Sequence, residues 1–103
     1  MIYVKTYPTD NGYIVAMCDK DLLGKTLSEG KIHLELARYA SFYKGDLVSA
    51  DDAKREMGKI KRLYTANIVG KDAVGVFIEL GLAEKGDVKM VSGVPFLQVY
   101  QMD

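Results

Sequence analysis

The pattern of apolar and polar positions predicts a β-hairpin at the start of the chain. Residues 2–7 and 13–18 are rich in β-branched and aromatic side chains, as strands are. Between them lies the segment 8–12, Pro-Thr-Asp-Asn-Gly. Its Asn-Gly pair suits the positive φ angles of a hairpin turn, so the two strands are expected to pair with each other.

A third strand is predicted over residues 31–36, where polar and apolar side chains alternate strictly. The alternation turns Ile32, Leu34 and Leu36 toward the core. A single helical turn is expected over residues 20–23, ended by Gly24, followed by a loop over residues 25–30. Residues 37–45 have no clear period, so they either extend the third strand or form an irregular turn.

Residues 49–82 predict two helices that meet at a tight junction over residues 64–70. Ser49 is suited to the N-cap, and Asp51 and Asp52 follow it in the first turn. Apolar residues then recur with helical spacing, which predicts a helix over residues 49–66 with an inward face of Ala53, Met57, Ile60 and Tyr64.

The second helix is shorter and apolar nearly all round, as buried helices are. Gly81 suits a left-handed conformation at its end, because it has no Cβ. Asn67 and Gly70 are the expected helix breakers. Either residue can cap the second helix, and Asn67 is favoured because its amide can bond to freed backbone groups.

Two further strands, over residues 88–91 and 96–100, complete the predicted fold. Residues 92–95, Ser-Gly-Val-Pro, interrupt them and indicate a bulge, an edge or a turn. The element order is then β-β-β-α-α-β-β. We therefore predict an α+β fold with an antiparallel or mixed sheet and a two-helix layer on one face, in one domain spanning residues 1–103.

The charge is balanced overall but uneven along the chain. Fourteen basic and fourteen acidic side chains cancel, so no global field indicates nucleic acid or a membrane as partner. Residues 54–62, however, hold five bases and one acid. We interpret this basic helix face as a candidate RNA-binding surface, with Tyr39 and Tyr43 as stacking groups. Its bases are Lys54, Arg55, Lys59, Lys61 and Arg62. The alternative is a solvated face, with the aromatic residues closing the core.

No catalytic residue, metal site or cofactor is predicted. One cysteine excludes an intrachain disulfide, and one Cys with one His is too few for the usual zinc ligands. Cys18 is interpreted as a small core residue, and His33 with Glu35 as an exposed strand pair without a catalytic role. The sequence has no leader-like start and no apolar run long enough to span a bilayer, so a cytoplasmic location is expected.

Gly93 and Pro95 break a late strand, and irregular backbone of this kind gathers near binding sites. Two alternatives to RNA binding therefore stay open. The protein is a protein-interaction subunit that uses the apolar second helix, or an enzyme with a pocket near Asn67, Gly70, Gly93 and Pro95. The sequence does not indicate the oligomeric state or the isomer of the Val94–Pro95 bond.

Five segments together resemble domain-of-unknown-function family 424. They are residues 3–5 (Tyr-Val-Lys), 18–25 (from Cys-Asp to Leu-Gly-Lys), 42–45 (Phe-Tyr-Lys-Gly), 66–70 (Ala-Asn-Ile-Val-Gly) and 93–96 (Gly-Val-Pro-Phe). The resemblance implies an archaeal, cytosolic protein without an established enzymatic activity and with an association with RNA or translation. It supports RNA or a ribosome-associated protein as partner, and it suggests Asn67, Gly70, Gly93 and Pro95 as residues of a site.

Overall fold

A six-stranded mixed sheet forms the centre of the protein in the computed structural model, which describes residues 1–100. The strands are, in chain order, β1 (Ile2–Thr9), β2 (Gly12–Asp19), β3 (Thr26–Glu29), β4 (Ile32–Glu35), β5 (Asp46–Val48), β6 (Leu63–Val69), β7 (Lys89–Val91) and β8 (Val94–Tyr100). The large sheet has the order β5-β1-β2-β6-β8-β7, while β3 and β4 form a separate two-stranded sheet. Within the large sheet β2 and β6 are parallel, and the other neighbours are antiparallel.

Two of the three helices cover one face of this sheet. The helices are α1 (Ala40–Tyr43), α2 (Ala50–Gly58) and α3 (Lys71–Glu79). Because side chains alternate between the faces of a strand, every second residue of β2 and β6 points toward α2 and α3. The resulting core cluster includes Val15, Met17, Ala53, Met57, Ala66, Ile68, Val76 and Phe77. None of the helices within residues 1–100 is long and apolar enough to cross a membrane.

The β3–β4 hairpin and α1 cover part of the opposite face. The second core cluster lies beneath them and consists of Ala16, Cys18, Leu36, Tyr43, Val69, Val91 and Phe96. Ser92, in the turn between β7 and β8, ties the hairpin to the sheet. Its N–H donates to the Glu29 carboxylate over 2.7 Å, and its hydroxyl donates to the Ser28 carbonyl over 2.8 Å. This third layer is incomplete and leaves a groove over the central strands.

The predicted α+β class with a mixed sheet is confirmed, but the predicted helix junction is wrong. Residues 64–70 lie almost entirely in strand β6, and α2 ends at Gly58 instead of residue 66. Glycine weakens a helix interior, whereas the β-branched and aromatic residues that follow fit a pleated surface. Pairing with β2 on one side and β8 on the other fixes the strand. A strand therefore separates the two helices, and Tyr64, predicted in the core, is exposed.

The prediction that Asn67 caps the second helix is also wrong. Asn67 lies within β6, and the N-cap of α3 is Gly70, with a φ of 109°. Two other helix ends are as predicted. The Ser49 hydroxyl accepts a hydrogen bond from the N–H of Asp52 over 3.2 Å. Gly81 has a φ of 70°, and the chain there forms the paired hydrogen bonds of a Schellman motif.

Both predicted breaks, one between β1 and β2 and one between β7 and β8, are tight turns. The first hairpin is confirmed, although its turn residues are Asp10 and Asn11, and Gly12 already pairs with Thr9. Between β7 and β8, Ser92 and Gly93 form a two-residue turn with φ angles of 49° and 78°. Positive φ at both positions is the requirement of a type I′ hairpin turn.

The regions predicted as irregular contain short elements. The loop expected over residues 25–30 is wrong, because residues Thr26–Glu29 form β3, which pairs with the predicted third strand, now β4. The two strands are antiparallel, and each supplies hydrogen-bonding partners for the backbone of the other. Residues 37–45 contain the single-turn helix α1, and Lys20–Leu22 form the predicted turn as a 3₁₀-helix.

Candidate binding groove

A groove of about 390 Å³ opens on the face of the sheet opposite to α2 and α3. One wall is strand β4, the other is the segment that carries α1, and the floor is formed by β6 and β8. The residues that line it are His33, Leu34, Glu35, Leu36, Tyr39, Phe42, Tyr43, Asn67 and Gln98. Its composition is therefore aromatic on one wall and polar on the floor.

The aromatic wall contains one ring that is held in place on both sides and one that is open to solvent. Phe42 stacks on Tyr7 with 5.3 Å between ring centroids and 7° between planes, and the Tyr7 hydroxyl donates to the Phe42 carbonyl over 2.7 Å. Tyr43 meets Phe42 edge to face at 5.1 Å. Tyr39 is 51% exposed, and the Arg38 guanidinium lies 5.5 Å from its ring centroid. Tyr39 is thus available for stacking on a planar ligand.

The floor of the groove holds two carboxamide side chains. Asn67 and Gln98 are opposite each other on the antiparallel strands β6 and β8, and Gln98 Nε2 donates to Asn67 Oδ1 over 3.3 Å. Their neighbours on this face, Val69 and Phe96, are buried apolar residues. A polar pair in this position, accessible from the groove, can form hydrogen bonds to a ligand.

The opposite rim carries ionisable side chains of β4. His33 Nδ1 lies 3.0 Å from the hydroxyl of Ser28, its cross-strand partner in β3. The Glu35 carboxylate pairs with Arg38 over 3.4 Å, which bridges the two walls. Both are exposed interactions, so they orient the rim without fixing it strongly. Within residues 1–100, no group of three or more His, Cys, Asp or Glu side chains is arranged to hold a metal ion.

The predicted bases of α2 and its C-cap lie on the other side of the sheet, and they have acidic partners. Lys54 pairs with Glu79 of α3 and, over 3.9 Å, with Asp51; Arg55 pairs with Asp52; Lys59 pairs with Glu56 over 3.3 Å. Asp51 and Asp52 come before the basic segment. The count of five bases and one acid over residues 54–62 therefore leaves out their carboxylates. Lys61 and Arg62 lie after α2, before β6, and both are exposed.

The structure does not bring the predicted bases and aromatic residues together. Helix α2 packs in the first core cluster, whereas Tyr43 belongs to the second cluster on the opposite face. Tyr43 is only 9% exposed, and burial raises the pKa of its hydroxyl to about 12. It therefore supports the wall, while Tyr39 presents a free ring. RNA binding by the basic set stays a prediction.

Of the four predicted pocket residues, Asn67 lines the groove. The other three, Gly70, Gly93 and Pro95, do not line it and instead determine the local backbone conformation. The N–H of Gly70 donates to the carbonyl of Pro95 over 2.9 Å, which joins the ends of β6 and β8. Pro95 lies opposite Met90, one pair from the two-residue turn, where its missing N–H points away from β7. The Val94–Pro95 bond is trans, and Gly93 is in the turn.

Sequence reasoning missed Gln98 and the rim of β4 as parts of this site. The alternation within residues 96–100 places Gln98 on the same face as the buried Phe96. A polar side chain that interrupts an apolar face is the signal that could have identified Gln98. Its pairing with Asn67 depends on the strand register. The apolar second helix, proposed as an interface, is mostly buried, although Leu80 and Leu82 at its end are 39% and 38% exposed.

Comparisons with known proteins place the chain in one family and show its fold in another protein. The family model described as Protein of unknown function (DUF424) matches residues 7–102. The crystal structure of an uncharacterized conserved protein from Methanopyrus kandleri is similar, with 26% sequence identity and a TM-score of 0.80. That match covers 96% of this chain and 90% of the other. No curated protein matches the chain.

Proposed function

The chain belongs to the DUF424 family of proteins of unknown function, and from that premise we propose that it binds single-stranded RNA in the groove between β4 and α1. The observation that carries the proposal is the combination of an exposed Tyr39 ring on the wall with the Asn67–Gln98 carboxamide pair on the floor. In this proposal the protein acts in the cytoplasm as a binding module and not as an enzyme.

The chemistry of the groove supports an unpaired base as the ligand. Proteins that recognise single-stranded RNA stack bases on aromatic or arginine side chains and form hydrogen bonds to the base edges. Tyr39 and the adjacent Arg38 provide the stacking surface, and the carboxamides provide donors and acceptors. A base within a duplex is covered by its neighbours in the stack, so single strands are expected to bind better than duplexes.

Cations on the wall elements support binding of the RNA backbone. Lys31 precedes β4, Arg38 precedes Tyr39, and Lys44 is the C-cap of α1, and all three are exposed. These cations can contact phosphates on either side of a base in the groove. The number of contacts is small, so we expect a weak salt dependence, with about one counterion released for each phosphate contact.

The test is fluorescence anisotropy with a labelled single-stranded RNA pool and its duplex counterpart at about 50 and 200 mM salt. Tyr39→Ala is expected to weaken binding of the single strand by about tenfold or more, since stacking on an aromatic side chain contributes roughly 1–3 kcal/mol per base. Tyr39→Phe keeps the ring and is expected to bind like the wild type. Circular dichroism checks that both variants are folded.

The basic segment around α2 provides the matched control. A Lys59→Ala/Arg62→Ala double variant removes two cations of the predicted basic set, neither of which lines the groove, so binding in the groove is expected to persist. Loss of binding in the double variant, together with unchanged binding by Tyr39→Ala, would place the RNA on the basic face and reject the groove. If no single-stranded RNA binds at low salt, RNA binding itself is rejected.

A further inference from the structure

The carboxamides of Asn67 and Gln98 form a hydrogen-bonded pair on the groove floor. Their strands, β6 and β8, are interior strands of the six-stranded sheet. The two residues are direct cross-strand partners, so their side chains leave the sheet side by side. The hydrogen bond from Gln98 Nε2 to Asn67 Oδ1 restricts both side chains. The bond favours one mutual orientation of the two carboxamides, so part of their side-chain freedom is already lost before a ligand binds.

The pair retains most of its hydrogen-bonding capacity. Each carboxamide has two N–H donors and one carbonyl acceptor, and the mutual bond uses one donor and one acceptor. Within residues 1–100, no other protein group forms a hydrogen bond with either carboxamide. With this amide orientation, the Gln98 carbonyl and N–H groups of both residues are available to a ligand in the groove.

We propose that Asn67 and Gln98 read the edge of the base in the groove and make adenine the preferred base, an inference that rests on the RNA binding proposed above. An adenine edge presents an amino donor beside a ring-nitrogen acceptor. A carboxamide presents the complementary acceptor and donor, and the two-bond contact of Asn or Gln with adenine follows from that match. The contact uses the Hoogsteen edge, where adenine alone among the four bases presents this donor and acceptor pair, and an unpaired nucleotide can turn that edge toward the carboxamides.

The stacking surface favours the same base. Tyr39 supplies an exposed ring, and a purine offers it a larger π-face than a pyrimidine. Guanine has the same ring size, but on its Hoogsteen edge an oxygen replaces the amino donor, so the carbonyl of Gln98 has no donor to accept from on that edge. The contact with guanine therefore has one hydrogen bond fewer than the contact with adenine. The carboxamide pair therefore distinguishes the two purines.

The experiment measures binding by anisotropy at one salt concentration, with labelled oligonucleotides of equal length. The first comparison is between strands made only of adenosine, only of uridine or only of cytidine. The second is between a mixed guanosine-adenosine strand and the all-adenosine strand. The wild type is expected to bind the adenosine strand about tenfold more tightly than the others. Gln98→Met keeps the side-chain length and removes the hydrogen-bonding groups, so the preference is expected to disappear while uridine and cytidine strands bind as before. Asn67→Thr is a second variant, suited to a strand, with the same expected loss of preference.

Thr65→Val is the matched control, because Thr65 is two residues from Asn67 on the same face of β6 and does not line the groove. Its adenine preference is expected to equal that of the wild type. Equal binding of all strands by the wild type, with binding still dependent on Tyr39, would overturn base reading and leave the RNA-binding proposal intact. A preference that survives in both carboxamide variants would also overturn it. Absence of binding to every strand would instead reject RNA binding, and base reading with it.

Discussion

The carboxylate of Asp19 fills the space that a side chain at Gly70 would occupy. Asp19 is the last residue of β2, and its carboxylate accepts hydrogen bonds from the backbone N–H groups of Asp72, over 3.0 Å, and Ala73, over 2.9 Å. Gly70, the N-cap of α3, has no side chain with which to accept these bonds. Asp19 therefore caps α3 from a neighbouring strand, and Gly70 makes the close approach possible.

Gly70→Ala is expected to destabilise the protein by about 2 kcal/mol or more. A Cβ at this position would overlap the Asp19 carboxylate, and the φ of 109° is one that residues with a Cβ rarely adopt. Displacing the carboxylate also breaks its two hydrogen bonds to α3. Urea denaturation followed by circular dichroism measures the change, and wild-type stability in the variant would contradict the assigned geometry.

Gly75→Ala, a few residues along, is expected to have the opposite effect. Gly75 lies inside α3, where an added Cβ meets no atom within 4 Å and φ is not positive. Alanine in a helix interior is more favourable than glycine by about 0.5–1 kcal/mol. The same denaturation measurement should therefore show a higher midpoint than the wild type. A lower midpoint would mean that the space around α3 is more crowded than the structure indicates.

The contribution of Asp19 to the stability of the protein is expected to fall as the pH rises through its titration range. Burial raises the pKa of this carboxyl above its ordinary value of 3.8, against the opposing effect of the two backbone hydrogen bonds, and Asp72 and Asp21 raise it further. The folded state then holds the proton more tightly than the unfolded state. The contribution is fully present below pH 3.8 and is lost as the pH rises through the raised pKa.

Asp19→Asn isolates this contribution, because an amide of similar shape does not titrate in this range. Denaturation of both proteins across the acidic range gives the difference between their free energies of unfolding. We expect the wild type to lose stability relative to Asp19→Asn as the pH rises, and then to run parallel to it near neutrality. A difference that grows in favour of the wild type would show that the helix N–H groups outweigh burial.

Local features of the fold could be predicted from the sequence because neighbouring residues determine them. The hairpin of β1 and β2, the Ser49 cap and the left-handed Gly81 each depend on a few consecutive residues. The boundary of α2 could not be placed in the same way. Ile60 and Tyr64 continue the helical spacing of Ala53 and Met57 by coincidence, although the chain leaves the helix at Gly58.

The groove and the cap of α3 depend on contacts between distant parts of the chain. Asn67 and Gln98 are 31 residues apart, and Asp19 is 53 residues from Asp72. Such pairs require the order and register of the strands, and a single sequence does not contain these. Asn67 was predicted as a site residue, and it does line the groove. The helix junction predicted around it is wrong, because this part of the chain pairs with β2 and β8 as strand β6.

Cys18 is expected to be unreactive toward thiol reagents in the folded protein. It is fully buried between the sheet and the third layer, next to Val69 and Phe96 in the second core cluster. Burial, together with the negative charges of Asp19 and Asp21, raises the pKa of its thiol to about 12. Because the thiolate is the reactive form, only a very small fraction of the protein can react near neutral pH.

An aromatic disulfide reagent at about pH 8 should therefore be consumed slowly by the native protein. Once guanidinium unfolds the protein, the reagent should be consumed rapidly and in equimolar amount. The denatured sample is its own control, since Cys18 is the single cysteine of the chain. Rapid reaction of the native protein would mean that the third layer opens readily and exposes β2.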